Sequence, residues 1–240
     1  MQAQTDQSFS KLTAALQFSN LKPYTRDVLV KVYTSLTISI IIAAVGCFAY
    51  SFFNSALFTF GVGLGLGLFS LLKFVYATPS TNTKFKYFLL TAFCFGVLSA
   101  PSINIYAQLD PSIVMTALFA TSGIFISFTI FSLLSDKRLF LMVGAGITSL
   151  SFALLILFFA SFWNPSLNYT LFSISYIISV CFVIYDTQLM IYRIENHSDA
   201  HFLDHALILF FDFLDIFLKT LRLLSQKDSD NNRSSNKRRR

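Results

Sequence analysis

Charge is scarce in this chain. Only 12% of its 240 residues are Asp, Glu, Lys or Arg, about half the share of a soluble domain. No polar stretch is long enough to build a second, soluble core. Cysteine is scarce too. Cys47, Cys94 and Cys181 all lie inside apolar runs, unpaired in any motif and not spaced for a metal, so they read as small core residues. Residues 1–28 hold no apolar h-region, which argues against a cleaved signal peptide. The first membrane helix is then the expected targeting signal. No prenylation box closes the sequence, and no glycine at position 2 invites myristoylation.

What is present is hydrophobic length. Apolar residues make up 55% of the chain, in runs of the roughly 20 residues that cross a bilayer. The pattern predicts an all-α membrane protein, a bundle of seven hydrophobic helices at about 29–50, 56–76, 87–107, 112–134, 139–162, 168–191 and 205–225. The breaks are Asn54-Ser55, Thr78 to Asn82, Asp110-Pro111-Ser112, Ser135 to Arg138, Trp163-Asn164-Pro165 and a polar stretch from Arg193 to Asp204. Pro111 suits a first helical turn, and Trp163 suits the membrane interface. The domain reading is a cytosolic segment 1–28, a membrane domain 29–225, and a basic, disordered, cytosolic tail 226–240.

Basic residues set the expected orientation. Lys11, Lys22, Arg26 and Lys31 lie at the N-terminal side, and Lys84, Lys86, Lys137, Arg138 and Arg193 in the second, fourth and sixth loops. Lys73 can snorkel to the same side. The first, third and fifth loops have no Lys or Arg. By the positive-inside rule the N-terminus and the even loops are cytoplasmic. Six Lys/Arg crowd into the last fourteen residues: Lys227, Arg233, Lys237, Arg238, Arg239 and Arg240. A seventh full span would carry them to the far side, so the last segment either spans at a cost or dips in and returns, and a cytosolic tail is the favoured expectation. Beside anionic headgroups such a tail needs no nucleic-acid partner. Sequons at Asn168, Asn196 and Asn232 offer a check: glycosylation at Asn232 would refute that placement.

Acids inside the last two runs are the candidate functional residues. A carboxylate at membrane depth is costly and normally faces a protein interior or a water path. Asp186 lies near the end of the sixth run, Asp212 and Asp215 inside the seventh. Asp212, Asp215, Lys219 and Arg222 are spaced 3, 4 and 3, an arc of roughly 80° on a helix. Asp204 and His205 extend that stripe, and Leu214, Phe217 and Leu221 oppose it. Spacing leaves two readings open: an interfacial amphipathic helix with an Asp215–Lys219 pair, or a helix inside the bundle whose acidic stripe lines a polar cavity. If Asp186 and Asp212 meet, they cannot both ionise cheaply and would share a proton. Such a pair would sense pH and could hold a hard cation such as calcium. Asp215, Lys219 and His205 are the candidate surrounding residues.

Four segments resemble the Bax inhibitor-1 family of the transmembrane Bax inhibitor motif superfamily: FSNLKPYTRDVLVKVYTSL (18–36), LDPSIVMTALFAT (109–121), YDTQLMI (185–191) and HALILFFDFLDIFLKTLRLL (205–224). The resemblance implies a seven-helix protein of the eukaryotic endoplasmic reticulum membrane, suppression of cell death, and a pH-sensitive calcium leak. It implies that Asp186, of the YDTQ motif, and Asp212 form the pH-sensing pair, and that both termini are cytosolic. It implies no cofactor, with calcium as the permeant ion, and cell-death regulatory membrane proteins as partners. His201 stands where relatives usually carry an aspartate, and Asp215 is an added acid. In bacterial relatives a basic residue after the second helix reaches the pair, for which Lys84 and Lys86 are the candidates here.

Other chemistries fit less well, and the chain reads as no enzyme. An intramembrane aspartyl protease also uses two aspartates, but its Gly-x-Gly-Asp motif is absent, since Asp212 follows Phe211. The run Gly61 to Gly67 lacks a following acid and the strand-turn-helix setting of a phosphate loop, and reads as small-residue helix packing. His197, His201 and His205 repeat every four residues, yet Asn196 to Asp199 reads as a loop, so a zinc site is remote. The serious competitor to a leak is a non-transporting regulator that acts on membrane partners through its tail and helices.

Overall fold

The computed structural model describes residues 23–52, 56–76, 81–134, 137–196 and 201–238, with the backbone alone at 23, 56–58, 81, 134, 137–143 and 227–238. Among them run seven helices: α1 (Pro23–Tyr50), α2 (Ala56–Tyr76), α3 (Thr81–Leu109), α4 (Pro111–Leu134), α5 (Lys137–Ser161), α6 (Leu167–Glu195) and α7 (Phe202–Arg238). No strand occurs among the described residues. The first six helices are long and apolar enough to cross a membrane. The seven-helix expectation therefore holds.

The helices overrun the apolar stretches that announce them. Hydropathy marks where the chain sits in oil, while a helix ends where its backbone hydrogen bonds stop. α1 begins six residues before the expected position, at Pro23, whose fixed φ and missing N–H suit a first turn. α4 starts as expected. Asp110 caps it, its Oδ1 accepting from the Ser112 N–H at 2.8 Å, and that bond holds the Asp110 carboxyl below the usual carboxylate range.

The tail differs from expectation. Its polar composition suggests disorder, yet α7 continues as helix to Arg238. Extending a helix already nucleated and packed costs little compared with starting one.

α7 occupies the middle of the bundle. It packs against α1, α3, α4 and α6, while α2 packs on α3 and α5 on α6. Leu209, Phe210, Ile216 and Leu221 of α7 are buried, joined in one core with Val32 of α1, Phe88 of α3, Ala117 of α4 and Val183 of α6. Its environment is other helices, so it tolerates the acids and lysine that set it apart from the six apolar spans. This decides between the two sequence readings: α7 is a bundle helix and not an interfacial one.

Small residues allow the tightest crossing, between α1 and α3. A Cβ built on Gly96 would sit 2.1 Å from the Ala43 carbonyl oxygen, and one on Gly46 2.3 Å from that of Phe93. Backbones approach there because neither position carries a side chain. The glycine run of α2 is half committed. Gly63 and Gly67 face α3 across Leu98, Val97 and Cys94, while a Cβ at Gly61 or Gly65 meets nothing. A buried hydrogen bond of 2.9 Å between Ser70 and Thr91 adds polar adhesion to the same α2–α3 contact.

Candidate functional site

Asp186 lies on α6 about two and a half turns before that helix ends at Glu195. Asp212 lies on α7. The packing of α6 on α7 brings them together, the two carboxyls close enough to interact directly. A hydrogen bond between two carboxyl groups needs one proton, because an ionised carboxylate only accepts. Both side chains are half-buried, and Asp212 Oδ2 is shut off from solvent with no hydrogen-bond partner. Arg193, two turns further along α6, is the basic residue whose charge reaches Asp186.

Asp215 and Lys219 form the i,i+4 pair that their spacing allows, at 2.7 Å. The pair is tied across to α6. Lys219 donates to the Ser179 hydroxyl at 2.5 Å, and that hydroxyl donates to Asp215 Oδ2 at 2.5 Å. One turn on, the Tyr176 and Thr220 hydroxyls meet at 3.1 Å, and the Arg222 guanidinium lies 4.6 Å from the centre of the Phe172 ring. The polar stripe of α7 thus faces α6, and its Leu/Phe face fills the core. Asp215 serves both expected roles: it pairs with Lys219, and its negative charge also reaches Asp212.

At the start of α7 the geometry departs from expectation. Lys84 binds neither Asp186 nor Asp212. Its ammonium pairs with Asp204 at 2.7 Å and lies 4.9 Å from the centre of the Phe74 ring. Lys84 begins α3 and Asp204 begins α7, so the α3–α7 packing sets these ends side by side, about two turns of α7 away from Asp212. Asp204 Oδ2 also accepts from the His201 N–H at 3.1 Å and so caps α7. His201 stacks on Phe202, with ring centres 4.5 Å apart, and its Nδ1 accepts from the Leu203 N–H. Burial first, then the Lys84 charge, holds the His201 imidazole below its ordinary pKa. His205 is buried, its Nε2 without a hydrogen-bond partner.

The Lys84 side chain is 11% exposed and that of Asp204 36%, so a double-mutant cycle with Lys84→Met and Asp204→Asn should give a coupling of about 1 kcal/mol, kept small by the exposed carboxylate. Thermal unfolding of the four proteins in detergent checks it. Additive effects would mean that the contact carries no stability.

Sequence reasoning passed over a second polar cluster. Tyr33 of α1, Thr129 of α4 and Thr187 of α6 bring their hydroxyls together, and each oxygen is buried without a hydrogen bond of good geometry. Thr187 adjoins Asp186 in the chain. A weak signal existed, since hydroxyls within apolar spans tend to face protein, but nothing local says that these three converge. Among the described residues no group of three or more His, Cys, Asp or Glu could hold a metal. His197 of the four-residue histidine series lies outside the described residues. Asp186 and Asp212 alone offer a hard cation two carboxylates, fewer ligands than calcium takes when held.

A multi-pass helical membrane protein with two close acids inside its bundle is thus the class that fold and site define. The sequence matches the family described as inhibitor of apoptosis-promoting Bax1 over residues 25–229, and the chain belongs to that family. It is 39% identical over 232 residues to the Bax inhibitor 1 homolog of Dictyostelium discoideum, covering 94% of this chain and 91% of that protein. It is 34% identical over 227 residues to Bax inhibitor 1 of Homo sapiens, covering 90% and 93%. With Bax inhibitor 1 of Oryza sativa subsp. japonica the identity is 27% over 228 residues, covering 93% and 90%.

Proposed function

We propose that this protein is a non-enzymatic regulator of cell death in the endoplasmic reticulum membrane that works as a pH-sensitive calcium leak, with the Asp186–Asp212 pair as its proton-operated gate. The observation that carries the reading is the close approach of the two acids across α6 and α7, with Asp212 Oδ2 buried and without a partner beside it. With one proton shared, the pair holds α6 to α7. When that proton leaves, two like charges face each other in a medium that screens them poorly, and the helices are pushed apart. The freed carboxylates then attract a hard divalent cation into the gap. Neither acid lines the apolar cavity of about 180 Å³ between α1, α3, α4 and α7.

This mechanism has a sign. Loss of the proton opens the gate, so flux rises with pH through the range in which the pair titrates. Purified protein in calcium-loaded vesicles should release calcium at a rate that climbs along an ascending pH series. No release at any pH would favour the regulator that acts only through membrane partners. The orientation belongs to the same reading: Lys84, Asp204 and Arg193 face the cytosol, so the gate answers cytosolic pH.

A further inference from the structure

A cleft opens sideways between α1 and α4. The two helices make little direct contact beyond the approach of Tyr33 to Thr129, although each packs on α7. Two cavities, of about 460 and 540 Å³, run along the gap and share Tyr33, Thr37 and Leu133 as walls. Together they extend from Arg26 to Ile41, about 22 Å along α1. That exceeds the roughly 15 Å of half a hydrocarbon core. Phe213 of α7 lines the inner side.

The chemistry of the cleft is graded. At the α1 start stands Arg26, exposed, while the adjoining Asp27 is not among the lining residues. Below Arg26 the walls are almost wholly apolar, apart from hydroxyls. One of these, on Thr129, is 92% buried by the residue's 8% exposure and has no hydrogen-bond partner. A positive charge at the membrane edge, above an apolar slot in helices that cross the bilayer, complements an anionic headgroup above an acyl chain. An extended peptide would leave most of its backbone polar groups unpaired in such a slot.

We propose that the α1–α4 cleft is a binding site for one anionic phospholipid, its phosphate on Arg26 and one acyl chain lying past Tyr33 and Thr129 to Phe213. The lipid then rests on α7 one residue from Asp212, behind the hydroxyl cluster that adjoins Asp186. This inference is independent of the calcium-flux reading. It stands or falls on lipid occupancy alone.

The test uses the full chain with its one tryptophan removed by Trp163→Phe. A new tryptophan is placed in the cleft by Thr37→Trp, or on the facing wall by Ile130→Trp should the first variant not fold. A reference is made by Ile156→Trp on the outer face of α5, where the side chain is 55% exposed. Each is reconstituted in phosphatidylcholine vesicles containing a small, equal fraction of either dibrominated phosphatidylserine or dibrominated phosphatidylcholine. The ratio of quenching by the two lipids cancels differences in depth. It should be about fivefold in the cleft, the enrichment one basic residue supplies at an anionic surface, and near unity at the reference. Arg26→Gln should return the cleft ratio to near unity. A ratio near unity in the cleft, or a fivefold ratio that survives Arg26→Gln, overturns the proposal.

Discussion

Asp212→Asn is expected to leave the protein folded and to abolish the pH dependence of calcium release. The amide has the shape of the acid and still donates to Asp186, so the α6–α7 contact survives. It cannot lose a proton, so the repulsion that parts the helices never develops. Release should stay at the low-pH level across the series, losing about tenfold or more at the alkaline end for each 1.4 kcal/mol of gate opening that repulsion supplied. Asp186→Asn should behave alike, because either member can carry the shared hydrogen. Asp215→Asn should not. Asp215 pairs with Lys219 and Ser179 and touches the pair only through its charge, so the profile should shift along the pH axis and keep its slope. A wild-type slope in Asp212→Asn, measured in calcium-loaded proteoliposomes, would remove the gate.

The second large effect is structural. Gly96→Ala adds one carbon 2.1 Å from the Ala43 carbonyl oxygen and 2.7 Å from that residue's Cα. These are backbone atoms, which cannot swing aside as a side-chain tip could, so α1 and α3 must separate. Overpacking of this kind costs about 3 kcal/mol, a fall in Tm of roughly 6–12 °C for a chain this long. Gly65→Ala is the internal control. A Cβ there meets nothing, and alanine in place of glycine favours the helix by about 1 kcal/mol. Detergent melting curves that move equally for both variants would mean that the α1–α3 crossing is loose.

Much of the architecture is legible in the amino-acid order. The positions of the apolar runs, the turns at Asp110-Pro111 and Trp163 to Pro165, and the polar stripe of α7 come from periodicity, and periodicity is local. The helix ends are less legible. α1 reaches back to Pro23 and α7 on to Arg238, because helical hydrogen bonding continues where hydropathy fails. The site is half legible. Spacing puts Asp212, Asp215 and Lys219 on one face but leaves open what that face meets.

Resemblance points to Asp186 as the partner of Asp212, and the bundle sets them in contact. It also points to Lys84 or Lys86 as a partner of the pair, and there the bundle sets Lys84 on Asp204 instead. The chain alone determined which stretches become helices and which face of each is polar, since those depend on neighbours within a turn or two. Tertiary structure decided which faces meet: Asp186 with Asp212, Lys84 with Asp204, Gly96 against Ala43, and a gap between α1 and α4. Those outcomes depend on how each helix is rotated about its axis and where it crosses another. Side-chain volumes far apart in the chain fix such angles jointly, so no single segment carries them.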